Sequence, residues 1–152
     1  MNIPKKVLHY ILIITFIATA LTCFISGHYT LPDLSVIIFW VILAATSESL
    51  LIILPNGVGL SVSFAIHLSC IIVGGPLLAI IVSGFTYIFC IYSDEGIKHI
   101  FNTPFYKTLF NSTQSIISSG VTSIVYLYSG GSIGEFLLVP TIIYCCFILY
   151  TY

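Results

Sequence analysis

Glu48 lies within Thr46-Ser47-Glu48-Ser49 and is the only carboxylate well inside an apolar stretch of this chain. At the centre of a membrane helix a charge costs about 3 kcal/mol on insertion scales, so such a group must be neutral, paired or turned to a cavity. The turn Pro55-Asn56-Gly57 folds the flanking stretches into a hairpin, which sets Glu48 opposite residues near Ala65 and His67 within about one helical turn of that depth. A Glu48 to His67 contact suits a hydrogen-bonded structural pair or a protonation-sensitive site, since His titrates near neutral pH. Three roles stay open for it: polar glue between helices, a ligand or signal pocket, and proton or ion coupling.

The second polar concentration is Asn111, Gln114, Ser115, Ser118, Ser119, Thr122 and Ser123. Asn111, Ser115, Ser118 and Thr122 follow helical spacing along one stripe, which should face the interior of a bundle. Small residues four apart, such as Ser115 with Ser119 and Ser119 with Ser123, let helices approach closely in lipid. Asn111 and Gln114 carry amides that need partners away from water. Glu48, His67, Asn111, Gln114, Ser115 and Ser118 are therefore the candidate pocket, on the condition that Glu48 and the Asn111 stripe face the same interior.

Catalytic and metal chemistry lack a comparable set of residues. There is no H-E-x-x-H, no G-x-S-x-G and no paired acidic motif on an apolar stretch, so enzyme activity is not expected. His9, His28 and His99 fall near the ends of stretches on different sides. Cys23, Cys70, Cys90, Cys145 and Cys146 lie in apolar runs without C-x-x-C or Cys/His spacing. No metal site and no cofactor is expected; the cysteines read as small apolar packing residues.

The elements that position these residues follow from composition. Of 152 residues, 59% are hydrophobic and 6% charged, against roughly 25% charged in a soluble domain. A soluble fold of this size would still expose about a third of its unfolded surface, so lipid is the solvent that fits. Four lysines and no arginine, with a net charge of −1, exclude a nucleic-acid footprint. The expected fold is all-α: one integral membrane domain over residues 1–152, a transmembrane bundle of about six helices. The apolar stretches run over 7–26, 35–54, 58–74, 76–93, 108–128 and 137–152, each able to approach a ~30 Å hydrocarbon core.

Two of these stretches have competing readings. The first follows Lys5 and Lys6 and contains Ala18-Thr19-Ala20, as a cleaved signal peptide would, but apolar sequence continues past that point. In the third, Ser61 to Ala65 alternates like a strand, yet an open strand edge in lipid would leave backbone groups unpaired, so a helix is expected. Short connectors with turn chemistry join the stretches, among them Gly74-Gly75-Pro76 and Ser129 to Glu135. The third and fifth stretches are both Ser-rich and end in paired glycines, a faint internal echo of the kind transporters carry.

The lysines orient the bundle, because Lys and Arg of short loops stay in the cytoplasm. With Lys5 and Lys6 inside, six spans return the C-terminus inside and place Lys98 and Lys107 inside as well, leaving Asp33 and Glu135 outside. Both termini are thus expected in the cytoplasm and the chain in the inner membrane.

The segment from Glu48 through Pro55-Asn56-Gly57, Leu60-Ser61-Val62-Ser63 and Gly75-Pro76, together with Phe110-Asn111 to Gln114, resembles the N-terminal membrane region of bacterial cyclic-di-GMP signalling proteins, the HD-GYP phosphohydrolases and GGDEF cyclases. The resemblance covers most of the chain through scattered polar and turn residues. It implies a multi-pass sensor of the MASE type, whose final helix passes a small-molecule or lipid signal to a cytoplasmic catalytic domain. Glu48 and Asn111 are matching positions in it. The sequence contains no HD, GYP or GGDEF motif, so on this reading it is an input half that ends before its output. A second copy or a cytoplasmic signalling protein would be its partner, besides the bilayer.

Two other functions compete. The substrate-binding subunit of a vitamin-type importer, or a small carrier, has similar size and span number, and would have a central cavity open to the outside. A structural or assembly subunit would use its polar stripe only for packing.

Overall fold

A computed structural model describes residues 5–50, 52–53, 59–60, 62–93, 97–98, 104–138 and 140–142. These are α-helical apart from short connectors: α1 is Lys5–Ser26, α2 Leu34–Ser49, α3 Ser63–Phe89 and α4 Phe105–Tyr128, and a further helix begins at Leu138. Two-residue antiparallel pairings join Ile52–Ile53 (β1) to Gly59–Leu60 (β2), and Tyr92–Ser93 (β3) to Ile97–Lys98 (β4). Of the helices, α1 is long and apolar enough, by length and composition, to cross a membrane, and α3 is so only when counted across its break at Gly75.

Two boundaries of the expected six spans shift, the end of the second and the start of the third. The second ends at Ser49 instead of residue 54, because the chain leaves the helix at Leu50 and Ile52–Ile53 enters the β1–β2 pairing. β-Branched residues before Pro-Asn-Gly favour such a pairing over a last helical turn. The third and fourth form one element, α3, which starts at Ser63 and is broken at Gly75. Of the sixth, only Leu138 and residues 140–142 are described as helical, and the remainder lies outside the described residues.

α3 reverses on itself at the break. Ser63, its first residue, is bonded to Glu48, while Ile91, just past its end, is bonded to the adjacent Ser49. A straight helix of 27 residues would hold those two ends about 40 Å apart at 1.5 Å per residue. Residues 63–74 and 76–89 are therefore two limbs of a helical hairpin, about 18 and 21 Å long. Gly75 makes the reversal at φ 77 and ψ −174, a conformation that only glycine adopts cheaply. Pro76 then opens the second limb, where its missing N–H costs nothing.

The buried turn is sealed by the loop after α4. The Gly134 N–H donates to the Ile72 carbonyl at 2.6 Å, satisfying a helix-terminal acceptor, and Ile133 packs on Gly75. α4 itself ends in a Schellman motif: Gly130, at φ 89, donates to Leu127 O and Gly131 to Tyr126 O. The ring of the fully buried Tyr126 occupies the space beside Gly131, and its hydroxyl donates to Glu135 O at 3.3 Å.

α3 lies between α2 on one side and α4 on the other, and α4 also packs along α1. Val41 and Ala44 of α2, Cys70 and Ile71 of the first limb, Leu78 and Val82 of the second, and Tyr126 make the main core. A second cluster joins Ile25 of α1 to Leu77 and Ile80. Helix α1 buries only Ile11, Ala18 and Ile25, a seven-residue seam, and exposes Leu12, Ile13, Phe16 and Phe24. A helix apolar all round with so narrow a buried seam has its remaining surface suited to lipid.

Close approach of the helices depends on small residues. A Cβ on Gly120 would lie 2.5 Å from Leu21 of α1, and one on Gly84 would lie 3.0 Å from Ile116 of α4. Several hydroxyls are satisfied within their own helices: Thr15, Thr22, Ser83, Thr86, Thr113 and Ser123 each donate to the carbonyl four residues back. Such back-bonding removes the cost of a buried hydroxyl without a tertiary partner.

The contacts also sort the charges. Tyr10 faces Phe110 and Leu21 faces Gly120, so α1 and α4 run parallel. Gly84 against Ile116 and Gly75 against Ile133 set the second limb of α3 antiparallel to α4. Lys5 and Lys6, Lys107, and Lys98 opposite Tyr92 thus gather at the end of the bundle that carries the Ser49–Ile91 bond. Asp33 and Glu135 are at the other end, where α2 starts and α4 finishes.

Candidate ligand-sensing site

Glu48 occupies the last turn of α2, not its middle, because α2 stops one residue later. It continues the Val41, Ala44, Ala45 stripe that packs on α3 and is 7% exposed. Ser63 Oγ donates to Glu48 Oε2 at 2.6 Å, the short distance of a charge-assisted bond. Ser63 thus takes the position expected of His67. His67 lies one turn further along the same face of α3, 6% exposed, and its Nδ1 is buried without a hydrogen-bond partner. No hydrogen bond joins Glu48 to His67.

The neighbouring residue completes a joint. Ser49 Oγ donates to Ala45 O at 2.7 Å and accepts from the Ile91 N–H at 2.9 Å. One helical end of α2 therefore holds the start of the first limb of α3 through Glu48 and the exit from the second through Ser49. An apolar cleft of about 630 Å³ runs along the outside of this joint, between α2 and Phe85, Phe89 and Ile91.

The α4 residues do not join this group. Gln114 is exposed, and Asn111 is half-buried in a cleft against α1. Ser115 is buried and Ser118 half-buried. The buried face includes Thr108, Ser112, Ser115, Ser119, Thr122, Ser123 and Tyr126; it keeps Ser115 and Thr122 of the expected stripe and leaves Asn111 and Ser118 half-buried at its edge. Glu48 and the α4 face both point into the bundle, but from opposite sides of α3, so Asn111 and Gln114 do not converge with Glu48 and His67.

In the sequence Ser63 stands within the alternating Ser61 to Ala65 run and Ser49 within the polar run around Glu48, and neither stands out as a site residue. The available signal was the four-residue spacing of Ser63 and His67, which places both on one helical face. Among the described residues no group of three or more His, Cys, Asp or Glu could hold a metal ion, and Cys23 and Cys70 are free thiols.

The joint brings a hydrogen-bonded carboxylate, a hydroxyl and an unpartnered imidazole nitrogen to one interhelical surface. Those groups can donate to and accept from a polar ligand, or reorganise around a proton. Comparison of the chain with protein families, curated proteins and solved structures finds no match.

Proposed function

We propose that this chain is a multi-pass inner-membrane sensory module of a bacterial signalling protein, with both termini cytoplasmic and no enzymatic activity of its own. The observation that carries the reading is the joint at the end of α2. Glu48 and His67 are costly groups to bury: the carboxylate needs partners such as Ser63, and the unmet Nδ1 of His67 costs about 1–3 kcal/mol. They are placed where α2 meets both limbs of α3. A signal that engages His67 or draws Glu48 from Ser63 acts on the contact that aligns those limbs, and the second limb packs directly on α4. Differential contact with two arrangements of that joint is what a signal needs in order to shift their populations. The gathering of all four lysines at the joint end supports a cytoplasmic location for it. The resemblance of the Glu48 to Pro76 segment to cyclic-di-GMP signalling proteins motivates the same class of output.

The test replaces the input region of a diguanylate cyclase with this bundle and measures cyclic-di-GMP in cells. Glu48→Gln and His67→Leu are expected to change output at least several-fold at unchanged membrane abundance. Output identical to the unsubstituted chimera in both variants would overturn the proposal, and saturable accumulation of a solute by proteoliposomes of the bundle alone would favour a carrier in its place.

A further inference from the structure

We propose that the cleft between the first turns of α1 and α4 binds the headgroup of an anionic phospholipid. The cleft has a volume of about 430 Å³; Val7, Tyr10 and Ile11 of α1 form one wall, and Tyr106, Lys107, Phe110 and Asn111 of α4 form the other. Lys5 and Lys6 begin α1 and line an adjoining depression that shares Tyr10. Three of the four lysines of the chain are thus collected at one opening. Glu48, the one acid described at this end of the bundle, is buried against Ser63 on the other side of α3 and offers them no countercharge.

The chemistry of the walls selects an amphiphile over a free anion. Lys107 supplies up to three donors and the half-buried Asn111 amide two, a set that matches phosphate oxygens. Val7 and the Tyr10–Phe110 ring pair, with centroids 6.0 Å apart, are apolar and would remain uncovered by inorganic phosphate. The exposed Ile13, beside Tyr10 in the adjoining depression, continues this apolar surface as a path for an acyl chain. Basic pockets between membrane helices at the cytoplasmic side recognise anionic headgroups in this way. The inference rests on the membrane reading above but not on the sensing role of Glu48.

The test uses the full chain in nanodiscs of equal phosphatidylglycerol and phosphatidylcholine, followed by native mass spectrometry of the lipid retained in detergent. The wild-type chain should retain phosphatidylglycerol preferentially. Lys107→Gln should lower that enrichment about fivefold, the factor for one lysine near an anionic surface. Asn111→Leu should lower it as well, without changing charge, and carries the test if Lys107→Gln does not fold. Lys98→Gln, at the same end in the β3–β4 pairing, should leave it unchanged. Absence of a phosphatidylglycerol preference, equal losses in Lys98→Gln and Lys107→Gln, or full displacement by millimolar inorganic phosphate would overturn the site. Alkaline extraction of the same membranes separates the two readings: a chain stripped by carbonate overturns both, whereas a resistant chain with no lipid preference overturns this one alone.

Discussion

Ser63 donates to Glu48 at 2.6 Å across the α2–α3 interface, tying the last turn of one helix to the first residue of the next. Between them the chain passes through the β1–β2 pairing, so this bond closes the connection at its base and makes the carboxylate a structural partner as well as a candidate sensor.

Removing either partner should therefore destabilise the bundle. Ser63→Ala and Glu48→Leu are each expected to cost about 1–3 kcal/mol, the penalty for a buried polar group left unmet. Glu48→Gln, which can still accept from the hydroxyl, should cost less. Thermal unfolding of the purified protein in detergent measures all three. The Glu48→Leu, Ser63→Ala double-mutant cycle should show coupling above about 0.5 kcal/mol, and strict additivity would argue that the bond contributes nothing.

Gly75 should be intolerant of any side chain. Alanine there faces about 1–2 kcal/mol of backbone strain at positive φ, together with a Cβ placed 2.8 Å from Ile133 Cδ1. Adding Ile133→Ala to Gly75→Ala should recover the steric part and leave the backbone part. A Gly75→Ala protein as stable as the parent would mean that α3 does not reverse at this residue.

The α1–α4 contact rests on Gly120. Gly120→Ala should lower stability by about 1–3 kcal/mol through overpacking against Leu21. In a Leu21→Ala background, where space has been opened, the same change should be close to neutral or stabilising. Unfolding midpoints of the four proteins provide the comparison, and equal Gly120→Ala effects in both backgrounds would contradict the packing.

Topology can be read chemically. In a chain with its native cysteines replaced, Asp33→Cys and Glu135→Cys should react in intact cells with a membrane-impermeant maleimide, while Lys98→Cys should react only after permeabilisation. Labelling of all three from outside would break the assignment of the lysine end to the cytoplasm.

Much of the framework was legible from local chemistry. Gly74-Gly75-Pro76 marked the reversal of α3, and Tyr128-Ser129-Gly130-Gly131 marked the end of α4, because positive φ and a missing N–H are properties of single residues. The lysines, one charge type in an apolar chain, marked one end of the bundle. Pro55-Asn56-Gly57, expected as a turn, lies outside the described residues, and the two-residue strands that pair on either side of it fall within expected helices, since Ile-Ile suits either.

The sequence by itself determined the apolar helical class of this protein, where its helices break and which end carries its cations, because each depends on residue type. Tertiary structure alone decided that Glu48 meets Ser63 instead of His67, that Asn111 turns to α1, and that Gln114 is exposed. A helix turns about 100° per residue, so the partner of a side chain depends on the rotational setting of its helix. In a soluble helix the polar face reveals that setting. Here core and outer surfaces are both apolar, and only the packing of small residues such as Gly84 and Gly120 against Ile116 and Leu21 fixes the rotation.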